Sequence, residues 1–322
     1  MVFAIRVHSH GGPEVLKWKP IDIPSPRAGE VRIRQRAVGV NYIDVYQRAG
    51  LYNLSSFPAI LGMEGAGEII SLGEGVKNFK IGDRVAYGTE IGGYAQERII
   101  SADRLVPLPK EISFENASAI MLRGMTVRYL FCETFPVSSQ TVMLFHAVAG
   151  GVGLLACQWA RSLGATIIGT VGSSAKAQIA LEHGCTHVIE YRRENFVDRV
   201  RDITKGIGCD VVYDSVGRET FSQSLDCLKP KGLMVSFGNS SGAVPPFNLT
   251  ALKGSLFITR PSLMEYTKSQ QQLSANAADV FKKVADGTLK ITINQRYALC
   301  DAAQAHNDLE TRKTTGSTIL IP

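Results

Sequence analysis

The residues best placed to do chemistry in this sequence are glycines. Met143 to Gly153 read Met-Leu-Phe-His-Ala-Val-Ala-Gly-Gly-Val-Gly, an apolar run ending in a glycine turn, and Leu154 to Leu163 continue with helical spacing until Gly164. Gly150, Gly151 and Gly153 let the backbone turn tightly and let a pyrophosphate approach a helix N-terminus, where unpaired N–H groups and the helix dipole favour negative charge. Ala149, Gly150, Gly151, Val152 and Gly153 are the expected contacts. A bare glycine triplet is weak evidence, but a strand before it, a helix after it and further strands downstream are the context a dinucleotide turn requires. The usual G-x-G-x-x-G is altered: Val148 stands at the first glycine, so the turn is of an A-x-x-G-x-x-G kind built from Ala147, Gly150 and Gly153.

The end of the second strand selects the dinucleotide. About 20 residues beyond the turn, NAD enzymes place an Asp or Glu on the ribose 2′-hydroxyl. Here the chain reads Thr170-Val-Gly-Ser-Ser-Ala-Lys176, without an acid to repel a phosphate. Ser173, Ser174 and Lys176 are the expected 2′-phosphate contacts, the serines donating hydrogen bonds and the lysine supplying charge, while Gly172 also contacts the cofactor and Tyr191 flanks the adenine. A lysine at a helix start is otherwise only a solvated charge. NADPH is the expected cofactor.

These residues need a frame. Residues 1 to about 123 carry short apolar, β-branched runs broken by Gly and Pro, at Val31–Val40, Gly65–Leu72, Asp83–Tyr87 and Tyr94–Ile100, which predicts an all-β region. From about 124 the period changes, and six strand-like runs alternate with helix-length segments: Thr141–His146, Ala165–Thr170, His187–Glu190, Asp210–Asp214, Leu233–Phe237 and Ser255–Thr259. That alternation predicts a parallel, doubly wound, Rossmann-like sheet. After Pro261 a polar, helix-prone stretch runs to Asp286, and strand-like runs near Ile291 and at Thr318–Ile321 are expected to rejoin the first domain. The fold class is α/β, with domains at 1–123 plus 262–322 and at 124–261. At 322 residues, two domains with a cleft between them are expected.

Composition narrows the classes. With 45% hydrophobic and 20% charged residues, nothing reads as disorder. No apolar run approaches the roughly 20 residues of a membrane helix, and the first residues do not resemble a secretory signal, so a cytoplasmic enzyme is expected. The six cysteines lie far apart with no C-x-x-C pair and are expected to be buried, reduced thiols. The net charge of +6 is scattered, which argues against nucleic acid as a partner and for an anionic cofactor.

With the turn comes a wider pattern: Gly11-Gly-Pro-Glu-Val-Leu16, Gly82-Asp-Arg-Val85, Ala147 to Gly153 and Val212-Tyr-Asp-Ser-Val-Gly217. Together these resemble the medium-chain dehydrogenase/reductase superfamily, and within it the NADPH:quinone oxidoreductase branch related to zeta-crystallin. The likeness to bacterial quinone reductases is strong in Asn41-Tyr-Ile-Asp-Val-Tyr46, in Leu228 to Gly242 with its Ser236-Phe-Gly-Asn-Ser-Ser241, and in Thr259-Arg-Pro-Ser262. The resemblance implies a GroES-like β domain from both chain ends, a Rossmann-like middle domain and a homodimer paired through the edge strands of the two sheets. Zinc alcohol dehydrogenases of the superfamily carry Cys where this chain has Asn41 and Gly-His-Glu where it has Gly62-Met63-Glu64. An amide and a thioether do not replace thiolate and imidazole on zinc, so no metal is expected.

By the same resemblance Asn41 and Tyr46 orient cofactor and substrate, and Tyr52 and Arg260 form a polar wall for a quinone oxygen. For either tyrosine, a packed ring with a satisfied hydroxyl is an equal alternative. Asp44 is expected to be a turn or helix-cap residue. Arg123 and Tyr129 flank the domain junction; Tyr129, Ser215, Val216, Phe237, Gly238, Asn239, Ser240, Ser262 and Arg312 are expected to line the cofactor. Serines and glycines after strand ends are also plain turn formers. Two rivals stand beside a quinone reductase: an NADPH-dependent enone or alkenal double-bond reductase, and an NADPH-containing RNA-binding protein.

Overall fold

The computed structural model describes all residues from Met1 to Pro322. Met1–Met125, Tyr266–Asp286 and Ile291–Pro322 form one compact unit, and Thr126–Glu265 with Gly287–Lys290 form another. In chain order the strands are β1 (Val2–Val7), β2 (Lys17–Ile21), β3 (Glu30–Val40), β4 (Ala59–Ile60), β5 (Gly65–Leu72), β6 (Arg84–Tyr87), β7 (Glu97–Ser101), β8 (Val106–Pro107), β9 (Val142–Phe145), β10 (Thr166–Val171), β11 (His187–Glu190), β12 (Cys209–Asp214), β13 (Leu228–Ser236), β14 (Phe257–Thr259), β15 (Ile293–Ala298) and β16 (Ser317–Ile321). The helices are α1 (Tyr42–Ala49), α2 (Phe114–Tyr129), α3 (Gly151–Ser162), α4 (Ser174–Glu182), α5 (Phe196–Ile203), α6 (Phe221–Leu225), α7 (Leu263–Tyr266), α8 (Gln270–Ala285) and α9 (Ala302–Glu310).

The first unit is built on β3. Its sequence alternates, so Val31, Ile33 and Ala37 point inward while Arg32, Arg34 and Arg36 point outward to Glu97 and Glu68. β3 pairs with β5, β7 and the C-terminal β16, in a 7-stranded sheet ordered β15-β16-β3-β5-β6-β8 with β7 also on β3. A smaller sheet of β2, β1 and β4 stands beside it. Val31, Ile33, Ile69, Val85, Tyr87 and Ile100 form one core, and Ile5, Val38, Leu61, Tyr94, Leu299 and Leu320 another.

This unit is not all-β. α1 was not legible because Asn41-Tyr-Ile-Asp-Val-Tyr46 is rich in β-branched and aromatic residues, which favour strands. What makes it a helix is its ends: Asp44 Oδ2 accepts from the Asn41 N–H at 2.8 Å, and Gly50, with φ 86°, ends the helix in the left-handed region. Asp44 is thus the cap residue its type suggests. α2 likewise starts at Phe114, well before the expected change of period at 124.

The second unit is a parallel sheet ordered β11-β10-β9-β12-β13-β14. Its central strands are buried along nearly their whole length, as helices on both faces require. The order reverses between β9 and β12, and in such sheets ligands bind beyond the carboxyl ends of the strands at that point. β13 begins at Leu228 rather than Leu233: Pro230 and Lys231 interrupt the apolar run, and the chain passes them in a bulge, with Cys209 opposite Leu228 and Val211 opposite Leu233. The cysteine expectation needs one correction. Cys157, Cys185, Cys209 and Cys227 are buried, but Cys132 and Cys300 are exposed. No helix is long and apolar enough to cross a membrane.

Candidate functional site

The turn after β9 leads into a helix N-terminus without a side-chain cap, an arrangement that can hold an anion. Ala147 takes the left-handed conformation, φ 57°, which costs a non-glycine residue about 1–2 kcal/mol. It is held there from three sides. Its N–H donates to Thr170 Oγ1 at 3.3 Å, its carbonyl accepts from the Gly150 N–H at 3.0 Å, and the next N–H, of Val148, donates to the Thr170 carbonyl at 3.2 Å. Gly150 then caps α3 with no side chain on the first-turn N–H groups, leaving them for a ligand. Val148 explains the altered fingerprint. Its buried side chain packs where Gly169 has no Cβ, since a Cβ there would lie 2.7 Å from Val148 Cγ1. A valine at the first glycine position is therefore accommodated by a glycine on the neighbouring strand.

Beneath the turn lies a buried network absent from the sequence reading. His146 bonds Thr170 Oγ1 at 3.0 Å and Ser224 Oγ at 2.9 Å, and Ser224 donates to Asp214 Oδ2 at 3.2 Å. Asp214 Oδ1 accepts from the N–H groups of Val216 and Gly217 at 2.7 and 2.9 Å. Burial holds the His146 pKa below its usual value despite the nearby Asp214. The residue types are those of a hydrolytic triad, but the histidine lies between Thr170 and Ser224 and all are buried. The network ties together the chain ends leaving β9, β10 and β12.

After β10, Ser173 caps α4, its Oγ accepting from the Lys176 N–H, and Lys176 is half-buried in the first turn. Tyr191 follows β11 with its hydroxyl against Gly172, where a Cβ would stand 2.9 Å from it. The expectation of a subsite without an acid is corrected here. β11 pairs with β10 so that Glu190 lies opposite Val171, and Ser174 Oγ donates to Glu190 Oε2 at 3.1 Å. Arg193 balances that carboxylate: it donates to Ser174 Oγ at 3.3 Å and stands 3.6 Å from Glu190. Nothing in the spacing along the chain marks Glu190 or Arg193; the pairing of β11 with β10 brings them alongside Ser174.

The loops after β12 and β13 zip together. Ser240 N–H donates to the Ser215 carbonyl at 3.1 Å, and a Cβ on Gly238 would lie 2.7 Å from that same oxygen. Ser215, Val216, Phe237, Gly238, Asn239 and Ser240 thus share one edge of the sheet with the phosphate turn. Phe237 packs on Phe145 at 5.7 Å. Arg260, exposed, and Ser262 follow β14, and Tyr129 is buried at the end of α2.

In the first unit Asn41, Tyr46 and Tyr52 gather at α1. The rings of Tyr46 and Tyr52 meet edge to face at 5.2 Å, and Tyr52 N–H donates to the Tyr46 carbonyl at 3.1 Å. Arg312, exposed and left-handed at φ 60°, donates its N–H to the Leu309 carbonyl, which also accepts from Tyr42 Oη. Asn41 Nδ2 donates to Glu64 Oε2 at 2.8 Å, with Arg123 3.8 Å from that carboxylate. Met63 Sδ accepts weakly from Gln47. An amide nitrogen, a thioether and a guanidinium-paired carboxylate do not make a zinc site. No group of three or more His, Cys, Asp and Glu side chains in the chain is arranged to hold a metal.

A sheet reversing at a glycine-lined, uncapped helix, joined to a β-rich unit from both chain ends, defines a dinucleotide-binding dehydrogenase/reductase of the medium-chain class. Family models agree: residues 27–110 match the alcohol dehydrogenase GroES-like domain and residues 151–279 the zinc-binding dehydrogenase domain. A quinone oxidoreductase of Pseudomonas aeruginosa is 48% identical over the whole of both chains. The structure of Escherichia coli quinone oxidoreductase complexed with NADPH superposes with a TM-score of 0.98 at 49% identity, covering 99% of this chain and 100% of that one. A more distant relative, a 2-haloacrylate reductase of a Burkholderia species, is 39% identical over 100% of this chain and 99% of its own. This chain belongs to the quinone oxidoreductase family.

Proposed function

We propose that this protein reduces quinones with NADPH, without a catalytic metal. The observations that support this reading are the α3 N-terminus without a side-chain cap, the Ser173 cap of α4 with Lys176 in its first turn, and Arg193 on Ser174, in a chain of this family. Bound NADPH supplies the hydride. The protein's part is to hold and orient. The α3 N-terminus takes the pyrophosphate, Ser173, Lys176 and Arg193 take the 2′-phosphate, Tyr191 and Gly172 flank the adenine, and Ser215–Val216 with Phe237–Ser240 and Ser262 set the nicotinamide end. Tyr129 and Arg312 complete the cofactor contacts, and Asn41, Tyr46, Tyr52 and Arg260 orient the acceptor. A quinone suits a site without a Lewis acid, because its reduced ring gains aromatic stabilisation. The test is NADPH oxidation by chelator-treated protein with 1,4-benzoquinone and 9,10-phenanthrenequinone, beside 2-haloacrylate and alkenals. Quinone turnover unchanged by the chelator is the expected result; alkene turnover without quinone turnover would overturn the quinone assignment.

A second copy of the chain is the proposed partner. β14 pairs only with β13, and apolar groups are exposed beside and on it, Leu249 at 74% and Phe257 at 61%. Pairing of two β14 edges would extend the sheet and cover them. Light scattering should give a dimer, and Phe257→Glu a monomer; a monomeric native chain would refute the pairing. None of the six cysteines is joined in a disulfide, which favours a reducing compartment, and the cytoplasm is the proposed location.

A further inference from the structure

A chain of buried polar groups crosses the first unit and ends at Asn41. It begins at the surface with Glu310, which accepts from Arg48 at 2.8 Å. Arg48 is fully buried at the end of α1; its Nε donates to the Gly11 carbonyl at 3.1 Å and its Nη1 to His306 Nδ1 at 3.1 Å. His306 Nε2 lies 2.9 Å from Tyr94 Oη, and Tyr94 Oη lies 3.0 Å from Asp44 Oδ2, which also accepts from the Asn41 N–H at 2.8 Å. Asn41 in turn donates through Nδ2 to Glu64.

The direction of this chain is forced. A guanidinium only donates, so His306 Nδ1 must accept. Burial, and then Arg48, push the His306 pKa down to about 3, so the ring is neutral and carries its proton on Nε2. That proton goes to Tyr94 Oη, and the Tyr94 hydroxyl hydrogen is left to Asp44. From Arg48 Nη1 through His306 and Tyr94 the donors run one way, and they end on one carboxylate oxygen of Asp44. The other oxygen of Asp44, Oδ1, is buried with no hydrogen-bond partner.

We infer that Asp44 is the positioning residue for Asn41, held as an acceptor by the Arg48–His306–Tyr94 chain. Its ionisation state then sets how firmly the Asn41 backbone is gripped, and with it the placement of the Asn41 amide in the proposed reaction. The groups facing Asp44 are Tyr94, Glu64 on the segment before β5, Arg123 on α2 and, through the chain, Arg48 on α1 and His306 on α9. Burial outweighs the bonds from Asn41 and Tyr94 and raises the Asp44 pKa to about 7, with Glu64 raising it further and Arg123 opposing. Above that pH the carboxylate grips the Asn41 N–H; below it, the neutral acid accepts more weakly.

The inference rests on the quinone reading only for Asn41's role in turnover, and the experiment keeps the two apart. Asp44 is titrated by carbon-13 NMR, and the Asn41 side-chain amide is followed in the same NADPH-loaded samples, for the native protein, Asp44→Asn and Tyr94→Phe. Asp44→Asn keeps an acceptor oxygen while removing the titration. The Asn41 amide should move with Asp44 near neutral pH in the native protein, move at higher pH by about one unit in Tyr94→Phe, and in Asp44→Asn lose the step that follows Asp44, keeping only its response to Glu64, whose pKa burial raises. The kcat/KM for phenanthrenequinone should fall on acidification through the same midpoint, which moves with Tyr94→Phe. In Asp44→Asn the step at that midpoint should be absent and the value about tenfold lower above pH 8. An Asn41 amide indifferent to Asp44, or a turnover profile that the variants leave in place, overturns the inference. A native protein inert to quinones at every pH defeats the function reading instead, while the amide titration still decides this one.

Discussion

Gly153→Ala is expected to remove dinucleotide binding. A Cβ at 153 would stand 2.6 Å from the Val148 carbonyl carbon and oxygen, and closer still to its Cα. These are backbone atoms and do not swing aside. Val148 itself is fully buried against Gly169, where a Cβ would also lie 2.7 Å from Cys185 Sγ. The start of α3 must therefore move off the turn, and its first N–H groups no longer converge on a phosphate. Overpacking of this kind costs about 1–3 kcal/mol or more, and misplacing the cradle adds to it, so NADPH affinity should fall by at least about a hundredfold. Gly150→Ala is the control for local severity, since its Cβ meets only the Ala147 carbonyl at 3.3 Å. Fluorescence titration with NADPH, with far-ultraviolet circular dichroism to confirm folding, reads the result. Native-like affinity in Gly153→Ala would mean that the pyrophosphate sits elsewhere.

The second large effect is on cofactor choice. Lys176→Ala should weaken NADPH by about 10- to 100-fold, the value of one charge-assisted bond of about 1.5–3 kcal/mol, and leave NADH within about twofold. Arg193 bonds Ser174 and, in the proposed site, would offer the same phosphate a second cation. Arg193→Ala should therefore act in the same direction, and the double variant should bring the two cofactors close together. In the proposed site the Glu190 carboxylate would oppose the phosphate, so Glu190→Gln should tighten NADPH. Equal losses for NADPH and NADH in Lys176→Ala would show that the 2′-phosphate is read by other groups.

Legibility of the sequence differed sharply between the halves of this chain. In the second unit the strand at His187–Glu190 has the predicted bounds, and those at 142–145, 166–171 and 209–214 lie within a residue of them. Strands buried on both faces read as continuous apolar runs, so neighbouring residues suffice to find them. β13 escaped at its start because Pro230 and Lys231 sit inside a bulge. In the first unit α1 escaped because its stability comes from a cap and from burial of Val45, Tyr46 and Arg48, while the propensity of its residues points to a strand.

What the sequence by itself determined is the strand, glycine turn and helix from Met143 to Leu163, and with them the class of ligand. Those parts are contiguous, and their chemistry lies in the backbone, so spacing alone specifies them. Only the tertiary structure decided which side chains complete the site. Glu190 and Arg193 reach Ser174 because β11 pairs with β10 in one register. Arg48 meets Glu310 across 262 positions, and Tyr94 meets His306 across 212. Such contacts depend on how whole elements pack and leave no periodic trace along the chain, so the grip on Asn41 could be seen only once the chain was folded.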